Sequence, residues 1–173
     1  FGGLGFSAYG QEHILPVAKQ YKHVGSTTRT DGRMCNDVAA KASSIKTSGK
    51  CMKRLILGNP DIPTDVKLGV ALTHVFPVGE FSSGGWGPLS KPEFDCYARS
   101  IVDVYRIVDR CERKPPAACG PEYVFKSDAK VVSDLGVLSP VARLALARIR
   151  LFALIVDRGH TFLLTLAYAG RSS

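Results

Sequence analysis

The sequence predicts a mainly α protein, a helical bundle preceded by a short β or loop segment at the N-terminus. Three observations point there. Apolar and small residues recur at alternating spacings of four and three from Val38 to Ile56, the period of one helix face. Ser90 with Glu93, and Ser139 before Pro140, are helix-start signals. Strand-like patches between glycine turns are confined to the first 33 residues.

The elements follow in order. Ile14-Leu15-Pro16-Val17 and Gln20-Tyr21-Lys22-His23-Val24 read as short strands, with Gly25 and Asp31-Gly32 as turns. Asn36 or Asp37 is the expected cap of a first helix running to about Leu57, stopped by Gly58-Asn59-Pro60. Its core stripe is Val38, Ala42, Ile45, Gly49, Met52 and Ile56. Gly49 weakens its middle by about 1 kcal/mol relative to alanine unless a neighbour packs closely there. A second helix is expected from Thr64 to just before Pro77, apolar on all sides and therefore central. The loop Ser82 to Pro88 carries the one tryptophan, Trp86. The third helix opens at the Ser90–Glu93 box and buries Phe94, Tyr97, Ala98, Ile101, Tyr105 and Val108; Asp95, Arg99 and Asp103 are spaced to pair on its outside. A proline-rich connector follows, then a short helix from Ser127 to Leu135 ended by Gly136. The last long helix runs from Pro140 to about Arg158, and Thr161 to Ala169 is expected to return as a short antiparallel helix. The resulting division is 1–33, 34–110, a connector at 111–126, and a C-terminal helical subdomain at 127–173.

Charge is concentrated. Of the formal +8, +7 lies between Lys19 and Arg54, where nine basic residues meet two acids, Asp31 and Asp37. On a helical wheel Lys46, Lys50, Lys53 and Arg54 share one flank of the first helix, beside its apolar stripe. A concentrated positive face suits a polyanionic partner. The five cysteines are odd in number and never closer than eight positions, which disfavours a disulfide framework and fits a reducing, intracellular compartment, nuclear or cytoplasmic. No secretory signal is visible at the start, and without an initiator methionine residue 1 is expected not to begin an independent gene product. The apolar stretch from Leu151 to Ala169 is interrupted by Asp157-Arg158-Gly159-His160, so no membrane insertion is expected.

Catalytic patterns are sparse. Polymerase, nuclease and phosphatase chemistry require carboxylates close enough to hold divalent metals, and no Asp-Asp or Asp-x-Asp element occurs. Asp61 and Asp65 are separated by Pro63. His13, His23, His74 and His160 are scattered, and His74 is expected in the core or an interface. No metal site, no cofactor and no catalytic residue are assigned.

Several spacings together resemble one family. Tyr21-Lys22-His23-Val24-Gly25-Ser26, then Asp31-Gly32, then a basic helix from Asp37 resemble the palm-to-thumb junction of non-LTR retrotransposon reverse transcriptases. Lys67-Leu68, Val75-Phe76-Pro77-Val78 and Trp86-Gly87-Pro88-Leu89 are similar to that family's thumb pattern, and Arg148-Ile149-Arg150-Leu151-Phe152 to its later basic-aliphatic helix. The family's aromatic-x-Asp-Asp motif belongs upstream of Tyr21 and is absent from the twenty residues before it. Ser83-Gly84-Gly85 stands where the family has Tyr-Gly before the tryptophan. The resemblance implies a palm-like remnant at 1–33 and a thumb-like domain at 34–110. It also implies a nucleic-acid-binding fragment that contacts the backbone of a template-primer duplex, RNA or DNA, and is not catalytic alone. The residues carried over are Lys22, Lys46, Lys50, Lys53 and Arg54, with Trp86 either a core anchor or a stacking or interface platform. The rival expectations are a helical adaptor subunit of a large assembly, binding RNA or an acidic protein, and a small enzyme with a dispersed site.

Overall fold

The computed structural model describes residues 34–111 and 126–158, with side chains to 157. It also describes the backbone of four strands: β1 (Gly3–Ala8), β2 (Gln11–Pro16), β3 (Gln20–His23) and β4 (Ser26–Arg29). These form two separate antiparallel hairpins, β1–β2 in register from Gly3↔Pro16 to Ala8↔Gln11 and β3–β4 from Gln20↔Arg29 to His23↔Ser26. All strand among the described residues lies before residue 30, as the sequence predicts, and the rest is helical. The expected helix at Thr161 to Ala169 lies outside the described residues, as does most of the 111–126 connector.

Helix α1 (Cys35–Met52) continues as a wider π turn, Lys53–Leu57, and stops at Gly58. Neither expected cap performs that role. The chain enters the helix at Met34 without a side-chain cap, and Asp37 is buried inside the first turn. Helix α2 (Thr64–Val70), a π turn at Ala71–Val75 and α3 (Phe76–Glu80) run on continuously. The expected stop before Pro77 is therefore corrected. A proline inside a regular helix clashes with the carbonyl four residues earlier. Here the Phe76 N–H reaches back five residues to the Ala71 carbonyl, and this widened turn precedes the proline ring. Helix α2 is also not the central helix: Val66 and Leu72 are about half exposed and His74 faces solvent.

The centre belongs to α4 (Lys91–Asp109), which buries Tyr97, Ile101, Val104, Tyr105 and Val108. Its start is as expected, with the Ser90 N–H donating to Glu93 Oε2 at 2.8 Å. Helix α1 packs closely on both sides. A Cβ on Gly49 would meet Val104 Cγ2 of α4 at 2.9 Å, and one on Gly79 would meet the Lys41 carbonyl of α1 at 2.6 Å. The lost propensity at Gly49 is thus exchanged for close approach.

Helix α5 (Asp128–Asp134) is capped by Ser127, whose side chain accepts from the Lys130 N–H, and α6 (Pro140–Arg158) by Ser139, which accepts from the Ala142 N–H at 3.2 Å. Gly136 closes α5 with a left-handed φ of 60°. Val131 of α5 and Leu144 of α6 join the same core cluster as α1, α3 and α4.

One partly buried polar cluster ties α3, α4 and α6 together. Arg143 donates to Glu80 through Nε at 2.7 Å and Nη2 at 2.5 Å, and its guanidinium lies 4.2 Å from the centre of the Phe76 ring. The Tyr97 hydroxyl donates to Glu80 Oε1 at 3.0 Å, and Phe76 meets Tyr105 edge to face at 5.3 Å. Burial works against the Arg143 charge, but the Glu80 hydrogen bonds and charge, with a smaller contribution from Tyr105, together outweigh it and hold its pKa above the ordinary arginine value. Burial, then the Glu80 charge and hydrogen bond, push the Tyr97 phenol far above the usual tyrosine range. Burial pushes Tyr105 the same way.

Two outcomes follow for stability. Removing one member of the pair, by Glu80→Gln or Arg143→Met, is expected to cost about 3–5 kcal/mol in chemical denaturation, and the double variant much less than the sum. For the tyrosines, the folded state holds its phenol protons more tightly than the unfolded chain. Their contribution is complete below the ordinary value of 10.0 and is lost as pH rises towards the folded pKa. Thermal melts should therefore fall above about pH 10, and Tyr97→Phe should flatten that alkaline limb.

Candidate nucleic-acid interface

The cations of α1 divide according to their distance around the helix from α4. Lys41 is buried with its ammonium 5.2 Å from the centre of the Phe81 ring. Lys46, Lys50 and Lys53 line an open cleft of about 670 Å³ between α1 and the C-terminal half of α4. The facing wall carries Asp103, Ile107 and Arg110, with Val104 and Arg106 also reaching the cleft. Arg54 is exposed but does not line it. Of the four predicted cations on this helix it lies farthest round from the core stripe. Lys22 sits in β3 opposite Thr27, and its side chain lies outside the described residues.

The cleft is cationic and polar-rimmed, with an apolar floor. Lys46 Nζ approaches Asp103 Oδ2 at 3.9 Å, with both side chains about a third exposed. A pair this long and solvated holds little energy, so Lys46 remains available to an anion. Arg106 does not. Only 3% exposed, it donates to Asp128 Oδ1 from Nε (3.1 Å) and Nη2 (2.6 Å), and to the Lys126 carbonyl at 2.7 Å. Its charge is committed to docking α5. Lys126 completes that attachment, bridging Asp109 at 2.9 Å and Asp134 at 3.2 Å. The hydrogen bond that Lys126 donates to Asp109, then the one it donates to Asp134, raise its pKa, and hydrogen bonding from Lys130 lowers that of Asp134.

Burial, then the Asp109 hydrogen bond and charge, push the Cys111 thiol up, so the nucleophilic thiolate is disfavoured. Among the described residues no three His, Cys, Asp or Glu side chains are grouped to hold a metal ion, and no helix is long and apolar enough to cross a membrane.

Trp86 belongs to the core. Its ring is 4% exposed, its Nε1 donates to Asp37 Oδ2 at 2.8 Å, and it meets Tyr97 edge to face at 5.6 Å. Arg148 covers the loop by donating to the Trp86 and Gly87 carbonyls at 3.3 and 2.8 Å. A buried ring offers no face to a base, so the stacking role is set aside and the core-anchor alternative is the one observed.

No family model, curated protein or solved structure matches the chain.

Arg110 is the site residue that sequence reasoning missed. It follows the last α4 turn and has no periodic relation to the α1 lysines, so only the packing of the two helices reveals it.

Trp86→Phe is expected to cost about 1–3 kcal/mol by removing a buried donor to a carboxylate, while leaving polyanion binding unchanged. Denaturation and fluorescence-anisotropy titration of the same variant check both halves.

Proposed function

We propose that this chain binds the phosphate backbone of a nucleic-acid duplex through the α1–α4 cleft, as a thumb-like piece of a reverse transcriptase, without catalysing extension alone. The observation that carries the binding part is the gathering of Lys46, Lys50 and Lys53 on one wall of an open cleft, opposite Arg110. Lysines on a helix shoulder can meet phosphates while the apolar stripe beside them stays in the core. Such contacts give affinity and register with little sequence readout. The retroelement part rests on the ordered resemblances from Tyr21 to Phe152, and the helical body described at 35–111 and 126–158 is compatible with a thumb.

A specific observation favours the adaptor reading as the second. Val141, Ala145, Ile149, Phe152 and Val156 fall within one arc of α6, and the four large ones are 42–64% exposed. An exposed apolar stripe of this kind suits a protein partner.

Salt dependence separates the two. If the three lysines neutralise about three phosphates, log affinity for a duplex falls with log salt at a slope of roughly −3. Changing Lys46, Lys50 and Lys53 together to Gln should flatten most of that slope, weaken unrelated sequences alike and leave stability nearly unchanged. Undiminished binding after this change would remove the cleft from the interface and leave the adaptor reading ahead.

A further inference from the structure

Arg110 ends α4 in the left-handed conformation, φ 57° and ψ 28°. Among the described residues only Ser82 is the other non-glycine with positive φ, whereas the left-handed residue that closes α5 is a glycine, Gly136. An L side chain is penalised there and glycine is not. The backbone does not need arginine, because its N–H donates to the Arg106 and Ile107 carbonyls, a bond any non-proline residue could make. Neither does the side chain serve the fold. It is exposed, and it makes no hydrogen bond or ion pair among the described residues, while neighbouring Asp109 is engaged by Lys126. Its one evident relation is to the cleft, which it lines opposite Lys46, Lys50 and Lys53.

We infer that Arg110 is a phosphate-gripping residue of this cleft, kept in an unfavourable backbone conformation for the sake of its guanidinium. The inference rests on the backbone-binding reading and adds to it a second wall. The α1 lysines are point charges along one side of a bound strand. Arg110 supplies, from the other side, a planar fork able to meet two oxygens of one phosphodiester. A cation at this point also suits the negative end of α4, so the test must separate binding from fold.

The probe is a 20-base-pair RNA–DNA heteroduplex of mixed sequence, titrated across salt with the whole chain. Arg110→Gly should weaken binding several-fold and make the salt slope shallower by roughly 0.9, while its denaturation midpoint stays level with wild type or rises. Arg110→Lys should keep the slope but lose part of the affinity, because the charge remains and the fork does not. The Lys46, Lys50 and Lys53 triple change to Gln serves as the reference. If that variant loses binding and Arg110→Gly matches wild type in affinity and slope, the inference fails and the cleft reading stands. An Arg110→Gly midpoint clearly below wild type would assign the residue to the fold and overturn the inference. A wild-type chain with no salt-dependent binding would overturn both.

Discussion

Glu80 and Arg143 lie 63 positions apart in sequence and form the contact on which the arrangement of the other helices depends. Glu80 is the last residue of α3, Arg143 lies in the first turns of α6, and the tyrosines that complete the cluster project from α4. Paired charges this well covered are tolerated only when their remaining hydrogen-bonding capacity is met. Tyr97 meets it from one side, and the Phe76 ring covers the guanidinium from another. The Tyr105 hydroxyl carries the network onward by donating to the Leu138 carbonyl at 3.2 Å, just ahead of α6. The directionality of these bonds fixes the seating of α3 and α6 on α4 more narrowly than apolar packing alone would.

With α4 held, α1 can lie close against it. Gly49 allows the approach from the α4 side and Gly79 from the α3 side, so α1 is gripped along its stripe while its shoulder remains in solvent. The cleft is a result of that closeness. Lys46, Lys50 and Lys53 are brought to the edge of a neighbouring helix whose own end turns back at Arg110. Arg106, a few ångströms of chain earlier, faces inward and is consumed by Asp128. The two arginines of one helix end thus have opposite duties, one joining α5 to the body and one left to solvent.

Features governed by local rules were legible in the sequence. The Ser90–Glu93 box, the Ser139 cap and the Gly136 stop each involve residues within four positions, and each occurs where its pattern stands. The α1 stripe from Val38 to Gly49 and the Lys46 and Lys50 flank were legible for the same reason, since a single helix fixes their angular relation; beyond Met52 the π turn shifts the phase and buries Leu57 in place of the expected Ile56. Features whose partner comes from elsewhere were not. Asp37 resembles a cap because nothing nearby shows that Trp86, 49 positions later, will claim its carboxylate. Arg106 resembles one more exposed cation of α4 until Asp128 arrives from beyond the connector. His74 and the apolar residues around it suggest a central helix, yet the period of the segment changes midway, which a single helical wheel cannot represent.

That change of period has a consequence for how this segment can vary. Before the π turn, α2 is set against α4; after it, α3 is set against α1. Val75 and Phe76, adjacent in sequence, are both fully buried. The wide turn lets one continuous rod present two differently aimed faces. Loss of a single residue between 71 and 75 would close the wide turn to an ordinary one and set the Pro77 ring against the carbonyl four residues before it, the clash that the π turn relieves. What this stretch preserves is a count of residues as much as a set of side chains. An alignment gap here would be more damaging than most substitutions at its exposed positions.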